Sequence, residues 1–238
     1  MSATIVSSEV SYRCPDGFEM RSHLARPQGE GAFPGIVLIA EATGVHREMK
    51  RIAGDIASAG YAVIVPDIFS RGNVVFCILR LVRDLKAARG RGVDDLLAAR
   101  TWLVAQPFVD SERIATMGFC LGGGFALVLA KTGLFKAAGD FYGDPPKTLD
   151  GACPVVASYG DRDALTMPHV PALRAELARL DIPNDVKVYP NVGHGFMNVQ
   201  PNALMGLLLR YTPGHGGYDR SAADDAMERL LSFLSAHV

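Results

Sequence analysis

Residues 113–131 read RIATMGFCLGGGFALVLAK, and the fold turns on them. An apolar run holding Ile114, Ala115 and Met117 predicts a buried strand over Arg113–Phe119. The small and apolar residues from Gly123 to Val128 predict a helix over Leu121–Lys131. Between them stands Gly118-Phe119-Cys120-Leu121-Gly122, a Gly-x-nucleophile-x-Gly turn with cysteine at its centre. In a strand–turn–helix context this pattern is a nucleophile elbow. The turn is sharp, so glycine is needed where the backbones approach closely. Its central side chain is held up at the carboxyl edge of a sheet, at a helix amino terminus where partial positive charge favours an anion. A cysteine there is expected to be a usable thiolate. The bland alternative is a small buried hydrophobe, the usual fate of a free cysteine.

Outward from the elbow, apolar segments alternate with amphipathic ones. That is the pattern of an α/β fold with a mostly parallel sheet and helices on both faces. Ala3–Tyr12 and Phe18–Ala25, separated by Pro15-Asp16-Gly17, predict an opening antiparallel hairpin. Gly35–Ala40 is apolar throughout, as a strand buried on both sides must be. Further strands are expected at Tyr61–Pro66, Ala137–Tyr142, Pro154–Tyr159 and Val186–Tyr189. Helical spacing marks Arg47–Ser58, Val74–Arg89, Asp94–Ala105, Pro171–Leu180 and Ser221–His237. No repeat, low-complexity tract or linker divides residues 1–238, so a single domain is expected.

Bulk composition excludes several classes of function. The 238 residues are 49% hydrophobic and 21% charged, with a formal net charge of -1. Lys and Arg are scattered and matched by acids, which argues against a nucleic-acid partner. The arginines between Arg80 and Arg91 are interspersed with Asp84 and read as a solvated helix face. Cysteines 14, 77, 120 and 153 have neither metal-site nor disulfide-scaffold spacing, so no metal is expected and a reducing compartment fits. MSATIVSSEV lacks the pattern of an export signal. Val74–Val82 is too short to span a bilayer. A cytoplasmic protein with no membrane partner is expected.

A thiol nucleophile needs a base within reach and a third group to orient that base. In this fold class they follow in the order nucleophile, acid, histidine. Gly160-Asp161-Arg162-Asp163 follows one predicted strand, and Gly193-His194-Gly195-Phe196 follows the next. Loops at the carboxyl ends of parallel strands are where such groups belong. His194 is preferred as the base over His215, which lies in a Gly-rich loop before a helix. His23, His46, His169 and His237 read as exposed or structural. Asp163 is chosen as the acid, with Asp161 as a turn-capping alternative.

Taken together, Gly-Phe-Cys-Leu-Gly-Gly at 118–123, Gly-Asp-Arg-Asp at 160–163 and Gly-His-Gly-Phe at 193–196 resemble the dienelactone hydrolase family. The resemblance spans nearly the whole chain. It includes Ala40-Glu41-Ala42-Thr43-Gly44-Val45, Pro66-Asp67-Ile68-Phe69-Ser70-Arg71 and Phe141-Tyr142-Gly143. It implies an α/β-hydrolase fold that needs no cofactor, acting on a small-molecule ester or lactone, with a monomer favoured. Glu41 would be the carboxylate that modulates the resting thiol; the alternative is a helix-capping acid ahead of Arg47. The N–H groups of Leu121 and Ala42 would form the oxyanion hole. Arg71 would contact a substrate carboxylate, unless it is a surface ion pair, and Tyr142 would line the substrate site. Position 198, where the best-known members carry a substrate-binding arginine, is Asn198, which removes a bidentate contact. Val74–Arg89 reads as a core-packing helix, with a cap over an apolar pocket as the alternative. Arg210, Tyr211 and the loop to Gly217 could form a rim. Other functions compatible with the residues are a general carboxylesterase and a non-catalytic sensor that uses Cys120 for redox or adduct chemistry.

Overall fold

The structure, a computed structural model, describes residues 4–199 and 213–238. The opening hairpin is β1 (Ile5–Arg13) and β2 (Glu19–Pro27), in register from Ile5 opposite Pro27 to Arg13 opposite Glu19. The strands that follow are β3 (Phe33–Ile39), β4 (Ala62–Pro66), β5 (Val109–Phe119), β6 (Ala137–Phe141), β7 (Val155–Gly160) and β8 (Asn184–Tyr189). They form one sheet in the order β1-β2-β4-β3-β5-β6-β7-β8, in which β2 pairs antiparallel with both neighbours and the remaining pairs are parallel. This is the α/β-hydrolase arrangement that the sequence led us to expect.

Strands β4, β6 and β7 are buried along their full lengths, which is why they read as apolar apart from Asp140 and Ser158. Alternate residues of β3 and β4 divide between two cores. Ile36, Leu38, Val63 and Val65 join α1 (Arg47–Ser58) and the closing helix α6 (Arg220–His237) on one face. Val37, Ile39, Ala62 and Ile64 join α2 (Val74–Ala87) and α3 (Arg91–Val104) on the other. Helix α4 (Leu121–Ala130) contributes to both cores, with Leu127 in the first and Phe125 in the second. Its residues from Gly122 to Ala130 are all buried, the condition of a helix that is apolar all round. Helix α5 (Val170–Arg179) packs through Leu173 and Leu177.

The strand order places the site. From β3 the chain moves outward to β4, then crosses back to β5 and proceeds steadily to β8. The carboxyl ends of neighbouring β3 and β5 therefore form a topological switch point, where ligands bind in open α/β sheets. Two strands are longer than their apolar pattern suggested. β5 begins at Val109, where Phe33 and Pro34 pair with Val109 and Asp110 ahead of a register shift. β8 begins at Asn184 because its backbone pairs with Val155 although its side chains there are polar. Among the described residues no helix is long and apolar enough to cross a membrane.

Candidate active site

Cys120 follows β5 and caps α4 with φ 54° and ψ −120°, a conformation that costs a non-glycine residue on the order of 1–3 kcal/mol. Surrounding contacts impose it. The Cys120 N–H donates to the Phe141 carbonyl at 2.9 Å, and its own carbonyl accepts from the Gly123 and Gly124 N–H groups at 3.0 and 3.3 Å. A Cβ at Gly118 would strike the Gly122 carbonyl, and one at Gly122 would strike the Ile39 carbonyl. Those two glycines let α4 start directly against the ends of β5 and β3. Leu121 is the first residue of α4, and Ala42 lies in the loop after β3. Among the described residues neither N–H donates a backbone hydrogen bond.

His194, in the loop after β8, is fixed by its backbone. Its N–H donates to Gly214 at 2.7 Å, and its carbonyl accepts from Gly217 at 3.2 Å. The loop through Gly217 thus supports the histidine, while Arg210 and Tyr211 lie outside the described residues. The rival base His215 is exposed, at φ 44°. His194 Nδ1 donates to Asp163 Oδ2 at 2.7 Å, and the ring also bears on the Cys120 sulfur. Burial disfavours a charged ring here, but Asp163 and Cys120 outweigh it and raise His194 to about 10.

Asp163 is fully buried; its carboxylate also accepts from Thr166 Oγ1 at 2.5 Å and from the Leu165 N–H at 3.0 Å. Burial alone would raise its pKa, yet the bond to His194 and these donors hold it below the ordinary value. Asp161 is exposed, and its backbone N–H donates to Tyr189. The structure therefore brings Cys120, His194 and Asp163 together, and not Asp161.

Glu41 opens the loop between β3 and α1, with its side chain 18% exposed. Its Oε1 accepts from Thr43 Oγ1 at 2.9 Å and from His46 Nε2 at 3.4 Å. The Asn198 amide also bears on this carboxylate, and together these donors overcome burial and lower its pKa. The α1 cap is His46, whose Nδ1 accepts from the Glu48 N–H at 3.2 Å, so Glu41 is not the helix-capping acid. Glu41, Thr43, His46, Arg47, Asn198 and Val199 help line a cavity of about 680 Å³.

Arg71 and Tyr142, two expected substrate contacts, are engaged within the protein, while Asn198 lies on the cavity lining. Four of the five Arg71 N–H donors are engaged, two with Asp95 at 2.6 and 2.7 Å and two with Asp16 at 2.8 and 2.9 Å. Its guanidinium is 5% exposed and stacks on Phe18 at 4.2 Å, so no fork remains for a substrate carboxylate. Tyr142, at φ 46°, is wholly buried and sets its ring edge-on to His194 at 4.9 Å and to Phe196 at 5.3 Å. It backs the imidazole. Asn198 is 2% exposed and turned to Glu41. Helix α2 packs Cys77, Leu81 and Leu85 into the core, as a core-packing helix does, while Val75, Phe76 and Leu79 are exposed.

Sequence reasoning missed two groups. His46 was grouped with exposed or structural histidines, although its position just before an amphipathic helix could have identified a cap. Asp140 lies inside fully buried β6, accepting from Tyr159 Oη and from the Gly143 N–H at 2.9 Å. Burial raises it to about 7. An aspartate within an otherwise apolar strand was its signal.

Comparison with known proteins adds family and fold. Residues 20–238 match the model of the dienelactone hydrolase family. A carboxymethylenebutenolidase from Rhodococcus opacus is 29% identical over 228 residues, covering 87% of this chain and 83% of that protein. A dienelactone hydrolase-like promiscuous phosphotriesterase from metagenomic libraries superimposes with a TM-score of 0.82 at 24% identity, covering 98% of each chain. Brefeldin A esterase, a bacterial homologue of human hormone-sensitive lipase, gives a TM-score of 0.68 at 17% identity, covering 98% of this chain and 77% of that one. At these identities the two solved structures speak to the fold alone.

Proposed function

The chain belongs to the dienelactone hydrolase family, and from that premise we propose that it cleaves lactones or activated carboxylic esters through Cys120, His194 and Asp163. The observation that carries this reading is the His194 Nδ1 bond to Asp163 at 2.7 Å, with the same ring interacting with the Cys120 thiol of the elbow. With Nδ1 committed to Asp163, the remaining ring nitrogen takes the thiol proton, and the sulfur attacks the substrate carbonyl carbon. The carbonyl electrons move onto oxygen, which the Leu121 and Ala42 N–H groups would hold. One such donor is typically worth about 2.7–4 kcal/mol in the transition state. Collapse of the tetrahedral species breaks the ester C–O bond, and the leaving oxygen takes the proton from His194. Water, deprotonated by the same ring, then attacks the acyl-thioester and expels the thiolate. Asp163 stabilises the imidazolium in both halves.

Thiolate is a good leaving group and a weak base. Productive attack therefore requires a departing oxygen that is itself stable, as in an enol lactone or activated ester, and amides should be poor substrates. Small-molecule turnover by a cytoplasmic monomer completes the proposal. Its four cysteines, all free, suit a reducing compartment.

The test is hydrolysis of p-nitrophenyl acetate and of a dienelactone by wild type and Cys120→Ala, with intact-protein mass spectrometry. Turnover that disappears in the variant supports the thiol mechanism, and the preferred substrate separates lactonase from general esterase. Absence of both turnover and an acyl adduct on wild type would sink it.

A further inference from the structure

We infer that Leu165 is a specificity-determining residue, an apolar wall beside His194 that receives the alcohol half of the substrate. The site then selects aryl or enol esters whose departing oxygen carries a hydrocarbon body. This deepens the reading above and rests on its assignment of Cys120, His194 and Asp163.

A leucine that is 54% exposed is ordinary by itself. Leu165 is set apart by how it is held and by what lies next to it. It stands just beyond Asp163 in the loop after β7, and its N–H donates to Asp163 Oδ1 at 3.0 Å. The preceding Ala164 N–H donates to the Pro213 carbonyl at 3.2 Å, and the neighbouring Gly214 carbonyl accepts from the His194 N–H at 2.7 Å. The loops that carry the acid and the base are thus stitched to the same short segment. A Cβ at Gly214 would lie 2.9 Å from His194 Cβ and 3.2 Å from Leu165 Cδ1, so the leucine and the histidine flank one point. Asp163 and Thr166 turn inward and are buried, while Ala164 and Leu165 between them face outward. A hydrocarbon surface is therefore fixed beside His194, whose side chain remains 19% exposed.

The chemistry decides which half of the substrate meets that wall. In acylation the ester C–O bond breaks, the departing oxygen takes the proton that the ring accepted from the thiol, and the alcohol leaves. The alcohol half must therefore reach the ring, whereas the acyl half stays on the Cys120 sulfur. In the second half of the reaction a water takes the alcohol's place, and Leu165 has no hydrocarbon to meet. Its contribution is confined to acylation. Aryl and enol oxygens are also the ones stable enough to depart after thiolate attack, so both requirements fall on one class of ester.

The experiment compares 2-naphthyl acetate with phenyl acetate, which share the acetyl group and differ in the hydrocarbon on the departing oxygen. Wild type, Leu165→Ser and Leu165→Met are assayed for kcat/KM, and stopped flow separates acylation from deacylation, with thermal melts to establish folding. Both substitutions keep the backbone N–H that Asp163 accepts. Leu165→Ser is expected to lower the naphthyl-to-phenyl ratio of kcat/KM about tenfold, the low end for one lost apolar contact, with the loss confined to acylation. Leu165→Met, of similar volume, is expected to keep the ratio. Intrinsic reactivity of the two esters cancels when the ratio is compared between proteins. A ratio that Leu165→Ser leaves unchanged overturns the inference. So does a loss shared equally by both esters and by deacylation, since the leucine would then serve only to hold Asp163. An acetyl adduct on wild type that is absent from Cys120→Ala tests the thiol mechanism by mass alone. Failure of that reading and failure of the wall are thus seen separately.

Discussion

Asp163 and Asp140 are both sealed from solvent beside the elbow, and they differ in their partners. Asp163 has a backbone N–H, a hydroxyl and the His194 imidazole, and its pKa falls below the ordinary value. Asp140 has a phenol and a backbone N–H, and burial raises it to about 7. Exposure is the same, so exposure does not mark the proposed catalytic carboxylate. The distinguishing feature is a neighbour that can carry positive charge. One aspartate is built to remain an anion for the imidazolium, while the other ties Tyr159 to the Gly143 turn behind Tyr142.

The largest expected difference between them is in catalysis. Asp163→Asn should lower kcat/KM for p-nitrophenyl acetate by on the order of 10⁴, the cost of a histidine left in the wrong tautomer. Asp140→Asn should stay within about tenfold of wild type, because no acid at 140 is asked to orient the base. Equal losses in steady-state assays of the two variants would abolish the distinction.

Stability against pH should show the pair tilting in opposite directions. Asp140 is raised from 3.8 to about 7 on folding, so its stabilising contribution is complete below about pH 3.8 and is lost as pH rises through 7. Asp163 is lowered, so its contribution is present above about pH 3.8 and disappears as pH falls through its folded value. Urea unfolding of wild type and Asp140→Asn at pH 5 and pH 8 checks the first sign, with the variant gaining on wild type at the higher pH. A wild-type advantage that grows with pH would reverse the assignment.

Smaller effects should come from the hydroxyl partners. Thr166→Val and Tyr159→Phe each remove a hydrogen bond to a buried carboxyl, worth roughly 1.5–3 kcal/mol when that group is charged. At pH 8, denaturant midpoints should fall in both variants. Only Thr166→Val should also reduce kcat, since only its carboxylate touches the imidazole. A matched reduction in Tyr159→Phe would show that the two aspartates act as one unit.

The fold was legible where side-chain pattern and backbone pairing agree. Buried strands β3 and β4 announced themselves by unbroken apolar runs, and the elbow by glycines at positions where a Cβ would collide. The early residues of β5 and β8 were not legible, because Asp110 and Asn184 are polar and only main-chain pairing makes them strand. Within the proposed site, Cys120, Asp163 and His194 could be singled out because each follows a strand in a short Gly-rich phrase. Partnership across the chain was the hidden quantity. Arg71 looks available until Asp16 and Asp95 are seen to hold it, and Tyr142 until its ring is seen buried behind His194. His46 gained its role from a carboxylate five residues earlier and a helix that begins just after it.

The left-handed backbone at Cys120 has a consequence for how such a gene would drift. Glycine is the residue most at ease in that conformation, and an exchange there that relieves strain stabilises a fold. A lineage no longer selected for turnover would be drawn toward glycine at 120, gaining robustness as it lost its proposed nucleophile. On the proposed mechanism, retention of a side chain at this uncomfortable position would be a record of use, written in the backbone rather than in the chemistry of the sulfur.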